Sequence, residues 1–227
     1  MIWFWFPQRC CVCGEPSKPL CGSCEAGLVI RYRTVARPGL DGVASCADYE
    51  GSVAALIHAF KEGGSAILGR RLAQPMAEVL LQRLSMSGAR GTGARGPGAP
   101  PNSSMAREAV VLVPAPSRRS ATRRRGFVPA AVLARLVARR LGKAGISTRV
   151  WDGLRVSAQV EDQSRLGRHA RAENVAGRMR TVGAPGAGLL VLLDDIVTTG
   201  ATLIEAKRAL CEAGLTVALA VTFAETL

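Results

Sequence analysis

The sequence predicts an α/β protein: a parallel β-sheet flanked by helices, with a small four-cysteine module at its N-terminus. Three observations predict it. Residues 189–193, Leu-Leu-Val-Leu-Leu, read as a fully buried strand, 202–213 as a helix closed by Gly214, and 215–223 as a second buried strand; strand–helix–strand at this spacing is a parallel βαβ unit. Val110, Val111, Leu112 and Val113 read as another short buried strand ended by Pro114. Five of the seven cysteines crowd into residues 10–24.

Length and composition agree. A chain of 227 residues suits one domain with a small appendage. Hydrophobic residues make up 48% and aromatics 4%, so the core must be aliphatic, and 21% charged residues is far from a disordered profile. No apolar stretch reaches the ~18 residues of a membrane span.

In chain order, residues 1–35 read as a Cys-rich zinc-binding module. Residues 36–84 read as a helical linking region of the core, with apolar residues at helical spacing over 53–61 and 67–84. Gly, Pro and Ser fill 12 of the 23 positions in 85–107, which reads as a flexible insertion. Residues 108–227 form the main domain. There the first strand leads into an Arg-rich loop with Arg118, Arg119, Arg123, Arg124 and Arg125. Pro129 then opens a helix whose apolar side is Val132, Leu133, Leu136, Val137 and Leu141, closing near Gly142 or Gly145. The polar stretch 155–180 reads as a long loop plus a short helix.

Charge narrows the partners. Lys and Arg exceed Asp and Glu by 30 − 17 = 13, and residues 110–180 hold 16 of those bases against four acids, Asp152, Glu161, Asp162 and Glu173. That segment carries +12 of the +13, which favours an anionic partner such as nucleic acid or a phosphorylated metabolite and argues against a hydrolase of neutral substrates. With only His58 and His169 present, a His-dependent catalytic triad has no support. The odd, clustered cysteines do not form a secreted disulfide framework, and the greasy segment before Pro7 lacks a basic n-region and an adequate apolar run. A cytoplasmic location is the expectation.

Cys10-x2-Cys13-x7-Cys21-x2-Cys24 pairs two C-x2-C knuckles, each presenting two thiolates from a tight turn. Together they can close a tetrahedron around Zn²⁺, and four thiolates leave no open position, so the ion would be structural. Gly14 and Gly22 permit the turns. Cys11 is a competing thiol that does not fit the knuckle spacing. Two Gly-rich look-alikes carry no chemistry. Gly91-Thr92-Gly93-Ala94-Arg95-Gly96 follows no strand, and the P-loop spacing of 64–69 ends in Arg70-Arg71 instead of Lys-Ser/Thr.

The most informative run is 191–202, Val-Leu-Leu-Asp-Asp-Ile-Val-Thr-Thr-Gly-Ala-Thr. A buried strand ends in two carboxylates, and a Thr/Gly loop then enters a helix. Such a loop offers backbone N–H groups, hydroxyls and the positive helix end to one phosphate. The carboxylates, at the C-terminal edge of a parallel strand where open α/β sheets bind ligands, suit two vicinal ribose hydroxyls.

This run resembles the phosphoribosyl-pyrophosphate (PRPP) motif of type I phosphoribosyltransferases, and the chain as a whole resembles the ComF family of competence proteins and their GntX-like relatives. Other marks of the resemblance are the Cys knuckles, Phe60-Lys61 with Gly63, Val113-Pro114-Ala115-Pro116 leading to Arg125-Gly126-Phe127, and Gln163, Leu166, Arg171 and Asn174 at the family spacing. Val128-Pro129 stands where the family has Asn-Gln, and Glu62 where it prefers an aromatic or apolar residue. The resemblance implies a type I phosphoribosyltransferase-like sheet. It places ribose hydroxyls on Asp194 and Asp195, the 5′-phosphate on Thr198, Thr199, Gly200, Ala201 and Thr202, and pyrophosphate on the loop of Pro114, Ala115 and Pro116. Arg118, Arg119, Arg123, Arg124, Arg125, Arg155 and Arg171 would neutralise pyrophosphate or a nucleic-acid backbone. Mg²⁺ accompanying PRPP, single-stranded DNA and a competence helicase are the implied cofactor and partners. The function expected is binding of a 5′-phosphoribosyl ligand such as PRPP in natural competence, DNA uptake or DNA processing, with phosphoribosyl transfer as the reaction if the site is active. The alternative is a non-catalytic single-stranded DNA adaptor with a vestigial pocket. Strand binders stack bases on aromatics, and Trp3, Trp5 and Phe127 are the ones with a route to exposure.

Overall fold

The computed structural model describes residues 9–90, 109–117, 119–156 and 176–226. The leader before Pro7, the segment 91–108, Arg118, and the stretch 157–175 with His169, Arg171 and the Gln163-to-Asn174 pattern lie outside the described residues.

The chain is mixed α/β, with a mostly parallel central sheet flanked by helices. Its elements are α1 (Gly22–Ala26), β1 (Arg33–Arg37), β2 (Leu40–Asp48), α2 (Gly51–Gly63), α3 (Ala66–Arg90), β3 (Val110–Pro114), α4 (Arg119–Arg125), α5 (Pro129–Lys143), β4 (Thr148–Val150), β5 (Leu154–Val156), β6 (Met179–Thr181), β7 (Leu189–Val197), α6 (Ala201–Glu212) and β8 (Val217–Glu225). The six-stranded sheet runs β1-β2-β8-β7-β3-β4, and β5 and β6 form a separate antiparallel pair. Every neighbour in the large sheet is parallel except β1 and β2, which turn back on each other at Pro38-Gly39, with Gly39 at φ 83°.

Alternation along the strands divides the core in two. Val110, Leu112, Val191, Leu193, Val221 and Phe223 pack beneath α2, α3 and α5 on one face. Val111, Val113, Leu190, Leu192 and Ala220 meet Leu203, Ala206 and Leu210 of α6 on the other. Both faces are covered, which is why 189–193 is apolar without a break.

The sequence reading differs from the structure in several places. It assigned no strand between 33 and 48, yet β2 pairs in parallel with β8, Val43 opposite Ala220; the segment read as a helical link supplies β2 and the end of β1. Loop was expected over 118–125, and 119–125 form α4. Helix α3 continues through Arg90 with Pro75 inside it, so the Gly/Pro/Ser-rich stretch begins as helix. β7 extends past Leu193 to Val197 and carries both carboxylates within the strand. Gly14 does adopt φ 77°, but Gly22 opens α1 instead of a left-handed turn.

β6 is tied to α6 by a buried carboxylate. Glu205 accepts the Met179 backbone N–H at 2.7 Å and pairs with Arg208 at 2.7 Å. Burial works against its charge, but Arg208 and the Met179 and Gly177 amides win and hold the carboxyl down at about 2, below its ordinary 4.5.

Two outcomes are expected. Because the folded-state value is depressed, the contribution of Glu205 is complete above about pH 4.5 and is lost as pH falls toward 2; denaturation profiles over that window should lose part of their slope in Glu205→Gln. Leu192→Ala, at a fully buried position on β7, should cost about 2–5 kcal/mol, whereas Arg139→Ala on the exposed side of α5 should stay within about 0.5 kcal/mol.

Candidate functional site

The connections around β3 decide where a ligand can sit. From β3 the chain crosses through α4 and α5 to β4 on one side, whereas β7, on the other side, leads through α6 to β8. The loops leaving β3 and β7 therefore diverge and open a crevice beyond the C-terminal ends of these two strands, the switch point where open α/β sheets bind ligands. Residues 115–117 form one lip and residues 198–200 the other. The two are tied at their base by the Ala115 N–H, which donates to Leu193 O at 2.8 Å.

Loop 198–200 is built to face outward. Thr198 and Thr199 are exposed, and Gly200 is buried at φ 82°. A Cβ at 200 would stand 3.3 Å from the side chain of Arg37, so both conformation and space demand glycine. Thr199 Oγ1 accepts the Ala201 N–H at 3.3 Å, and the Ile204 N–H closes the first turn of α6 on Gly200 O at 2.9 Å. Thr202 stands in that first turn, half-buried. Arg37, at the β1–β2 turn, braces the loop: its Nε donates to Thr198 O and its Nη2 to Thr226 O, both at 2.9 Å. A crevice lined by Ala176, Thr199, Ala201, Ile204 and Glu205 opens on the α6 side.

The carboxylates diverge because successive strand residues point to opposite faces. Asp195 shares the face of Val191 and Leu193, under α2, and there Lys61 Nζ reaches its Oδ1 at 3.0 Å. Asp194 lies toward the α6 face and accepts the Asp195 N–H at 2.8 Å. Part of Asp194 touches solvent, but protein surrounds its carboxyl. Burial, followed by the charge of Asp195, pushes it up to about 8, while Lys61 and the Asp195 amide pull the other way.

The expected arginines scatter. Arg125 closes α4 and reaches Ser117 Oγ at 3.5 Å from the lip of the crevice; its Nε is buried without a partner. Arg124 pairs with Glu62 at 3.5 Å. Arg123 is on the exposed side of the same helix, and Arg119 begins it. Arg155 sits on β5, where its guanidinium donates to Asp152 and to the Leu154 carbonyl; none of these contacts reaches either loop. Phe127 is not a free stacking platform. It packs edge-on against Phe60 with ring centroids 5.9 Å apart.

At the N-terminus, Cys10, Cys13, Cys21 and Cys24 place their Sγ atoms within 4.8 Å of one another. Cys13 and Cys21 Sγ are 3.8 Å apart, close to the about 3.8 Å edge of a tetrahedron built on 2.3 Å metal–sulfur bonds. The cluster can hold a metal ion such as zinc, and Cys11 is not part of it. Burial resists charge on Cys10, but backbone N–H groups of Cys13, Cys21 and Val12 outweigh it and hold the thiol down to about 6. The module rests on the main core through Cys10 and Leu20, and through Glu25, which pairs with Arg71 of α3 at 2.5 Å.

Sequence reasoning missed Lys61 as a partner of Asp195, and Arg37 as the brace of the Thr/Gly loop. Both come from elements far away in the chain, so no local spacing announces them. Among the described residues no helix is long and apolar enough to cross a membrane. Compared with protein-family models and with curated proteins, the chain matches none.

Metal analysis checks the cysteine cluster. We expect about one equivalent of tightly held metal per chain by the four-ligand chemistry of such sites, lost in Cys13→Ser. Chelation should loosen residues 10–26 while the α/β core stays folded. Clearly substoichiometric metal in the purified protein would contradict the assignment.

Proposed function

We propose that the chain is a ComF-like protein of the type I phosphoribosyltransferase fold, binding a 5′-phosphoribosyl ligand such as PRPP in the crevice between β3 and β7. The observation that carries the reading is the placement of an anion-ready Thr/Gly loop and two adjacent carboxylates on one strand end at the sheet's switch point. Loop 198–202 would take the 5′-phosphate on backbone N–H groups, threonine hydroxyls and the N-terminal end of α6. Asp194 and Asp195 would hold the two ribose hydroxyls. Loop 114–116 would lie against the pyrophosphate, with Arg125 beside it through Ser117.

The chemistry this arrangement supports is displacement at the anomeric carbon. No nucleophilic side chain is needed. Positive charge developing on the ribose would be balanced by the carboxylates, and holding phosphate and ribose at fixed points would align the sugar with its acceptor. Mg²⁺ accompanying the ligand would supply charge neutralisation of the pyrophosphate. Zinc in the four-cysteine cluster would be structural. The cellular setting proposed is cytoplasmic DNA uptake or processing, with a competence helicase as a protein partner.

A second reading, a single-stranded DNA adaptor, is favoured by one further observation. Arg135, Arg139 and Lys143 recur every four residues along the exposed side of α5, a helix without a single acid, and Arg123 and Arg124 continue the charge on α4. Phosphate contacts of this kind carry affinity without sequence information. The two readings coexist if the pocket receives a 5′-phosphorylated end.

A thermal-shift series with PRPP, ribose 5-phosphate and single-stranded DNA, each with and without Mg²⁺, tests both. Ligand at a hundred times its dissociation constant should stabilise the protein by about 2.7 kcal/mol, and Thr199→Ala or Gly200→Val should abolish that gain. Asp195→Asn should lower any PRPP-dependent turnover by about 10²-fold while leaving DNA binding intact. If DNA affinity does not fall as salt rises, the basic surface is compositional.

A further inference from the structure

Lys61 lies outside the run of residues 191–202, yet its ammonium pairs with one of the two carboxylates of that run. It stands in the last turn of α2, where a cation also meets the negative end of the helix. Its ammonium lies 3.0 Å from Asp195 Oδ1, with the Lys61 side chain 27% exposed and that of Asp195 9%. The lysine is thus partly exposed beside a carboxylate that is nearly buried.

The support behind Lys61 is rigid. Phe60, the preceding residue, is fully buried and meets Phe127 edge-on. Gly64 ends α2 at φ 59°, and a Cβ there would stand 3.1 Å from the Phe127 ring. Glu62 pairs with Arg124. The end of α2 thus packs against Phe127, in the turn that follows α4, and the ammonium reaches Asp195 from that packed end.

We propose that Lys61 is a positioning residue for a vicinal diol: by holding Asp195 Oδ1 from the α2 side it fixes where that carboxylate meets one hydroxyl, while Asp194 meets the other. A diol offers two hydroxyls, and a cation that holds one carboxylate in place opposes the repulsion that would swing two neighbouring carboxylates apart. The strand's alternation makes the asymmetry unavoidable, since it turns Asp195 toward α2 and Asp194 toward α6. The inference rests on the phosphoribosyl reading of the site and adds to it how the ribose is held. Lys61 acts through Asp195 and need not touch the ligand.

Calorimetric titration of the full chain with ribose 5-phosphate and, separately, with inorganic phosphate tests it in wild type, Lys61→Met, Lys61→Gln and Lys61→Arg, with circular dichroism to establish that each variant is folded. The expected result is an affinity for ribose 5-phosphate about tenfold weaker in the neutral variants, the size of one charge-assisted contact. Phosphate affinity should stay unchanged, because it depends on loop 198–202, and Lys61→Arg should recover part of the loss. Equal or tighter binding of ribose 5-phosphate by the folded Met or Gln variant overturns the proposal, as does a parallel loss of both ligands, which would make Lys61 a structural prop. A wild-type chain that binds neither compound overturns the phosphoribosyl reading and the role of Lys61 with it.

Discussion

The structure depends on the burial of β7 between two parallel neighbours. β3 pairs with it residue for residue from Val110–Leu189 to Pro114–Leu193, and β8 flanks the other edge from Leu190 to Val197. With helices on both faces, nothing polar can enter until the strand emerges, so the first positions able to carry charge are those past Leu193. Asp194 and Asp195 occupy them. Because β3 and β7 send their crossovers in opposite directions, the same positions open onto a crevice. Fold and site are two consequences of one strand's surroundings.

The sheet end is braced from both sides by residues distant in sequence. Arg37 ties the β1–β2 turn to the Thr198 carbonyl and to the chain after β8, bracing the Thr/Gly loop. Lys61 fixes one carboxylate from above. The crevice is thus assembled from the first strands, the second helix and the central strand together, and the segment before residue 85 belongs to it as much as the segment after 108. The cysteine cluster sits apart, joined to the core through Cys10, Leu20 and the Glu25–Arg71 pair.

What was legible in the sequence is what local pattern controls. The β7–α6–β8 unit could be read because its strands are continuously apolar and Gly214 closes its helix. Helix α5 could be read because Pro129 and a regular apolar stripe mark it, and the cysteine cluster because two knuckles at short separation have few other uses. β1 and β2 were missed: 33–48 mixes Arg, Gly, Ser and Cys, and the strand character of β2 comes from its pairing with β8, which no window of sequence contains. Helix α4 was missed because four arginines in seven residues carry no apolar stripe; the core contact beside it is that of Phe127, just after the helix, packing against Phe60. Among site residues, the diacid and the threonine loop could be found from their succession on one strand end. Lys61 and Arg37 could not, since their roles exist only where α2 and the β1–β2 turn come to rest.

The central claim is that the lips of the β3–β7 crevice form one ligand site. Backbone-amide NMR during titration with ribose 5-phosphate tests it most directly. The account predicts saturable shifts at the amides of residues 198–202 together with 115 and 117, one lip each, and at Asp194 and Asp195. Shifts confined to the arginines of α4 and α5, or to one lip with the carboxylates silent, would contradict it.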